Sequence, residues 1–219
     1  MQDTQRTTMT ETPKEFIGRT MRKRTTVIGE ASGNYSYKPR GPKSVTLALS
    51  ETDRADEFIE ISKKYPWNTR GTHDHKELKW VSSSDEIRKA VLKDINDLSP
   101  DIFVATDERN DVGLDMCDRH QALLRVATEE LLNKTNAGHL DFVMDQSPFI
   151  KEGRGRTIVK EIIGNRDITY SYKHVVSEKS NLVQTQDFVA GAANKYEVSG
   201  DRQFIGNVEK KIISWKRVK

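Results

Sequence analysis

The sequence predicts an α/β fold, a mixed β-sheet flanked by helices. Three observations lead there. Short apolar, β-branched runs alternate with amphipathic helical segments along most of the chain, the pattern of a sheet layered with helices. The first two runs, "TTVIG" and "SVTLALS", are separated by a turn-rich stretch and no helix, which predicts an antiparallel hairpin. The later runs are separated by helices, which predicts parallel pairing.

The elements follow in order. Residues 1 to about 23, including "MQDTQRTTMTETPKE", offer almost nothing to bury and read as a flexible basic arm. The domain proper is expected over 24–219, ending in a basic tail. "TTVIGEASGNYSY" begins as a strand and meets turn residues at Ser32, Gly33 and Asn34; a basic loop from Lys38 to Lys43 leads into "SVTLALS". "DRADEFIEISKKY" has helical periodicity, with Thr52 or Asp53 as its cap. After a polar, His-rich stretch, Ser84 caps "DEIRKAVLKDINDL", whose Ile87, Val91 and Ile95 form a stripe. "DIFVATD" is an interior strand, and the longest helix is expected from about Leu114 to Asn133. "HLDFVMDQS" is a strand ending in an acid, "GRTIVKEIIGN" a short helix and "DITYSYKHV" a strand. "NLVQTQDFVAGAANKYEVSGD" reads as a buried helix through Leu182, Val189, Ala193 and Tyr196. "DRQFIGNVEKKII" reads as a last amphipathic helix.

Composition bounds the function. The 219 residues are 35% hydrophobic and 32% charged, enough for one core under a heavily charged surface. Net charge is only +3, but the bases cluster at the ends. Six Lys/Arg against three acids stand in the first 24 residues, and five against Glu209 in "EKKIISWKRVK". Such clusters suit nucleic-acid phosphates, and equally a solvated surface. Cys117 is the single cysteine, so no intrachain disulfide forms, which fits a reducing cytoplasm. No apolar run reaches the roughly 18–20 residues that span a bilayer, and the N-terminus lacks an apolar signal core, so no membrane partner is expected.

Acids at the ends of elements carry the chemistry. Glu30 ends "TTVIG" and Asp145 ends "HLDFVM". Asp187 lies on a helix face with Val183, Ala190, Gly191 and Asn194, small enough to let another element approach closely. Glu77, in "HKELKW", is a fourth candidate, with Lys79 beside it for a phosphate. In open α/β sheets functional groups gather beyond the strand ends. Carboxylates converging there repel unless a cation lies between them, and oxygen-only sets suit Mg²⁺ or Mn²⁺. A strand-terminal acid is also an ordinary surface or turn residue, and Asp107, Glu108 and Asp141 occupy comparable positions.

These motifs, in this order, resemble the family called domain of unknown function 3800 (DUF3800), grouped with ribonuclease H-like proteins. The first strand of that family ends in Asp-Glu-Ser-Gly, where this chain has "GEASGN"; its Glu-Leu-Lys triplet is similar to "ELK" at 77–79. A later strand ends in Asp, as "FVMD" does at Asp145, and its final Gln-x-x-Asp helix is similar to Gln184, Asp187 and the small-residue run after them. The resemblance covers roughly residues 25 to 212. It implies a ribonuclease H-like fold, with Glu30, Glu77, Asp145 and Asp187 as metal-binding catalytic acids for phosphodiester hydrolysis in RNA or DNA. The family's first acidic pair reads Glu30-Ala31 here, one methylene longer and lacking the second carboxylate. That keeps a second reading open, a catalytically silent protein binding RNA, DNA or a ribonucleoprotein.

Other constellations remain. Arg154 and Arg156 in "KEGRGR", and Lys179 in "SEKSN", are candidate phosphate contacts, as loop or helix-start residues. His73, His75, Cys117 and His120 could make zinc ligands, or simply be surface and packing residues. Trp67, Trp80 and Trp215 could stack bases or pack inside. No Gly-rich phosphate loop or nucleophile elbow is present.

Overall fold

The computed structural model describes residues 23–33, 44–65, 77–107 and 115–218. The N-terminal arm, the loop 38–43, Trp67, His73, His75 and Glu108 fall outside them.

Six strands, β1 (Arg24–Gly33), β2 (Val45–Thr52), β3 (Asp101–Asp107), β4 (His139–Asp145), β5 (Thr169–Val175) and β6 (Ile212–Val218), form one sheet in the order β5-β4-β1-β2-β3-β6. The β1–β2 and β2–β3 pairs are antiparallel, and β1–β4, β4–β5 and β3–β6 are parallel. The mixed sheet expected from the sequence is therefore present.

Period-two alternation along β1 divides the core. Ile28 faces one hydrophobic cluster, with Ala48, Val104, Phe58, Val91 and Phe188. Its neighbour Val27 faces the other, with Leu49, Phe103, Phe142, Leu123 and Ile158. The helices α1 (Ala55–Lys64), α2 (Asp85–Leu98) and α5 (Asn181–Ser199) supply the first face; α3 (Met116–Leu132) and α4 (Glu152–Ile163) supply the second. Ser84 caps α2 through the Ile87 N–H, as its sequence position implies. Arg54, not Thr52 or Asp53, is the N-cap of α1; Thr52 Oγ1 accepts the Arg54 N–H instead, at 2.9 Å.

Two expectations need correction. Residues 201–213 are not one amphipathic helix. A single turn, α6 (Arg202–Ile205), stops at Gly206, a 3₁₀ turn follows over Glu209–Lys211, and the chain then enters β6. The β-branched pair Ile212 and Ile213 favours a strand, and the edge of β3 offers the pairing that decides it. The basic tail is accordingly an edge strand. Lys216 lies 3.4 Å from Glu130 and Arg217 lies 3.3 Å from Glu197, so these bases are partly engaged by the chain's own acids. Arg154 and Arg156 likewise belong to the first turns of α4, not to a flexible loop. Lys151, in extended backbone, stands as its N-cap, and Glu152 favours the first turn.

Candidate active site

The site begins with strand register. Gly29 of β1 pairs with Met144 of β4 in parallel, so the next residues, Glu30 and Asp145, stand side by side where β4 ends; β1 itself runs on to Gly33, so Glu30 lies within its strand and does not end it as the sequence suggested. Helix α5 packs across β1 and β2 on the Glu30 face, and its buried polar residues are tied to neighbouring backbone. Gln186 Nε2 donates to the Ala48 carbonyl at 3.1 Å, and Thr185 Oγ1 donates to the Phe58 carbonyl at 2.8 Å. These bonds satisfy groups that would be costly to bury alone, and they fix the rotation that turns Asp187 toward the strand ends.

The segment Glu77–Trp80 closes the third side. Trp80 N–H donates to Asp187 Oδ2 at 2.8 Å, and Leu78 N–H donates to Gln184 Oε1 at 3.3 Å. Gln184 Nε2 donates in turn to the Ser177 carbonyl at 2.8 Å. The small face of α5 has a definite purpose: a Cβ at Gly191 would lie 2.4 Å from the Trp80 ring. Trp80 is buried, edge-on to Phe188 and Phe204, with the Arg88 guanidinium 4.7 Å from its ring centroid. It is a packing residue and not a base-stacking platform. Trp215 packs edge-on to Tyr196 at 5.5 Å.

Glu30, Glu77, Asp145 and Asp187 thus line one pocket of about 130 Å³, together with Lys79, Val81, Ser177 and Gln184. Lys79 Nζ stands 3.0 Å from Glu77 Oε2. Glu77 Oε1 is buried without a hydrogen-bond partner. Burial first, then the charges of Asp145 and Asp187, push the Glu30 carboxyl well above its ordinary range. Burial also raises Asp145, against the hydrogen bond it shares with Glu30. In the hydrogen bond they share, Glu30 is the donor and Asp145 the acceptor. Asp187 is pushed up to about 6 by burial, which outweighs the Trp80 N–H and the Lys79 charge. Burial works against the Lys79 ammonium, but Glu77, Asp187 and Asp145 more than offset it and raise its pKa.

Divalent cations fit this donor set by chemistry: four hard oxygen ligands, one of them with an orphaned buried oxygen, and acids that hold protons for want of another counter-charge. Among the described residues no three such side chains already stand in ligand geometry, so binding would require rotation of the carboxylates.

The other candidates lie elsewhere. Arg154 Nε donates to Gln121 Oε1 at 2.7 Å, and Arg156 Nη2 bonds Glu152 and the Tyr172 carbonyl. Lys179 is exposed on a 3₁₀ turn, Ser177–Lys179. None of these three lines the acidic pocket. Asp107 forms a buried ion pair with Arg119 at 3.1 Å. Asp141 is held well below the usual carboxylate range by Arg24, Ser171 and His139, although burial opposes its charge. The Cys117 side chain hydrogen-bonds Asp115, no group of three metal-ligating side chains forms around it among the described residues, and His120 is buried against Phe149. Sequence reasoning missed a second, larger cavity beside the acids, lined in part by Phe149, Tyr172 and His174. Its only sequence signal was the Pro-containing turn "DQSPF" directly after the β4 acid.

No protein-family model and no curated protein matches the chain. Among solved structures, it is similar to the crystal structure of ribonuclease H2 from Pyrococcus horikoshii OT3, with a TM-score of 0.53 and 16% identity over 83% of this chain and 77% of that one. The fold is ribonuclease H-like. Among the described residues no helix is long and apolar enough to cross a membrane.

Proposed function

We propose that this chain is a ribonuclease H-like nuclease that hydrolyses phosphodiester bonds of RNA or DNA with Mg²⁺ or Mn²⁺. The observation that carries the reading is the meeting of Glu30, Glu77, Asp145 and Asp187, from four separate segments, in one pocket at the strand ends. Burial, with the neighbouring charges, holds three of these acids above their ordinary pKa range, and clustered, perturbed carboxylates mark functional sites. The fold likeness to a ribonuclease H2 supports a nucleic-acid substrate, and the motif resemblance to DUF3800 points to the same acids. A bound divalent ion would neutralise the acids, activate a water and stabilise the leaving oxygen.

The chain's own residues would do the rest. Asp145 and Asp187 would serve as ligands after small rotations, Asp187 oriented by the Trp80 N–H. Glu30 would join them on releasing its proton, and Glu77 on turning its orphaned oxygen inward. Lys79 would move from Glu77 to a substrate phosphate. Gln184 holds the segment that carries both Glu77 and Lys79. Arg154, Arg156 and Lys179 would at most extend contacts along the strand. A reducing, cytoplasmic setting suits the single Cys117.

The Glu77–Lys79 pair and the missing carboxylate at Ala31 favour a second reading, a silent binder of RNA, DNA or a ribonucleoprotein whose lysine has replaced the cation. Incubating the purified chain with labelled single-stranded, duplex and hybrid RNA and DNA, in Mn²⁺, Mg²⁺ or EDTA, separates the two. EDTA-sensitive cleavage abolished by Asp145→Asn and Asp187→Asn is expected. Binding that ignores EDTA, without cleavage under any condition, would establish the silent binder.

A further inference from the structure

The larger cavity, about 320 Å³, shares two wall residues with the acidic pocket, Glu30 and Asp145. The cavity lies on the α3/α4 face of the sheet and the acidic pocket on the α5 face, with Glu30 and Asp145 between them at the end of β4. Beyond them the lining turns largely aliphatic and aromatic. His120 and Phe149 stack at 4.6 Å between centroids and 28° between planes. Tyr172 and His174 form a second ring pair at 5.4 Å, and the Tyr172 hydroxyl lies 3.0 Å from His174 Nε2. The turn residue Ser147 closes the cavity from the loop after β4.

We propose that this cavity receives one unpaired nucleobase of the strand whose phosphate lies at the acids, so that the preferred substrate is single-stranded at the bound nucleotide. This rests on the nucleic-acid reading of the acidic pocket and specifies its substrate. A base is a flat apolar disc with a polar edge, and it matches a chamber of ring faces and aliphatic side chains interrupted by a few hydrogen-bonding groups. A base and the phosphate of the same nucleotide are separated by a single sugar, and the two chambers meet at Glu30 and Asp145, where β4 ends and a strand can pass from one face to the other. A duplex cannot enter a space of this size; a paired base would have to be unstacked and extruded, at a cost of a few kcal/mol.

The test is binding in EDTA, which removes cleavage and metal from the readout. Fluorescence anisotropy compares a labelled single-stranded 12-mer with a fully abasic backbone of equal length and with a blunt duplex. The wild type should hold the base-bearing single strand roughly 5- to 100-fold more tightly than either, the span expected for one stacked base. Ser147→Trp, which fills the chamber, should abolish that advantage, whereas Ser147→Ala should keep it. Both lose the hydroxyl that accepts the Phe149 N–H, so the comparison isolates filling. Should Ser147→Trp fail to fold by thermal melt, Phe149→Ala replaces it, with the same loss expected. Equal affinity of the wild type for base-bearing and abasic strands, or no measurable binding to either, overturns the proposal. So does a folded Ser147→Trp that binds as the wild type does. The two readings fail separately: base-dependent binding without Mn²⁺-dependent cleavage refutes the nuclease alone, and cleavage with base-independent binding refutes the base chamber alone.

Discussion

Asp187 shows how one side chain serves two purposes. One oxygen accepts the Trp80 N–H, and the carboxylate also lines the acidic pocket. Its pKa, ordinarily 3.8, is pushed up to about 6 by burial. The folded, metal-free protein thus binds more protons than the unfolded chain between about pH 4 and pH 6. Stability from this group is highest below pH 4 and falls as pH rises to about 6. Asp187→Asn keeps the acceptor for Trp80 and removes the titration. In EDTA the variant should be more stable than the wild type at pH 7, by on the order of 1 kcal/mol, and nearly equal to it at pH 4. Denaturant melts at both pH values check this, and a variant destabilised at pH 7 would show that the charge is already balanced. Asp145 stood out in the sequence as the end of a strand and Asp187 by its small-residue face, whereas Glu30 lies within β1 and Glu77 in an irregular segment, so these two rested on the motif resemblance. The pocket common to all four was not legible, because it depends on the β1–β4 register and on the rotation of α5. His174 carried no signal, and Phe149 only its place in the turn after β4: aromatic and histidine residues look alike in sequence whether they pack or line a cavity.

At the scale of elements, local pattern and tertiary partner disagree in instructive places. Helix α5 has a weak apolar face because it is buried from Leu182 to Ala193, and its polar residues bond to the backbone of β2 and α1. Gly191 is required by the Trp80 ring and not by helix geometry. Gly191→Ala should raise intrinsic helix propensity by about 1 kcal/mol yet lower net stability by roughly 1–3 kcal/mol, as overpacking does. Urea melts would read the difference, and a stabilised variant would mean that Trp80 moves freely. The C-terminal strand is the larger surprise. A helical pattern over 201–213 gave way to β6 because an open sheet edge supplies hydrogen bonds that sequence periodicity cannot register. Truncation after residue 213 therefore does more than remove charge. It deletes the Tyr196–Trp215 contact and the bond from Ser214 Oγ to Glu130, and should cost roughly 3 kcal/mol. Any loss of nucleic-acid affinity in that truncation must be judged against its melt. Lys216→Gln with Arg217→Gln leaves the strand in place and tests the charge alone through the salt slope of binding.

At the scale of the molecule, the acids come from four parts of the chain: β1, the segment before α2, the end of β4, and α5. A ligand bound by all four would tie both sides of the strand ends together and stabilise the fold as a unit. Binding to the native state alone contributes about 2.7 kcal/mol at a ligand concentration a hundredfold above Kd. For a domain of this size each kcal/mol moves Tm by about 2–4 °C. Mn²⁺ at that excess should therefore raise Tm by roughly 5–10 °C at pH 7.5. At pH 4.5 the rise should shrink sharply, because Glu30 and Asp187, both raised by burial, hold protons there and must release them to bind a cation. Asp187→Asn should reduce the rise at pH 7.5, while Arg154→Gln, whose guanidinium bonds Gln121 away from the acidic pocket, should leave it intact. Calorimetry across this set decides between the two functional readings without any substrate. A rise at neutral pH that vanishes in acid and in Asp187→Asn belongs to a metal-dependent nuclease site. A Tm indifferent to millimolar Mn²⁺ at pH 7.5 means that Lys79 already supplies the counter-charge, and the pocket then binds phosphate without cutting it.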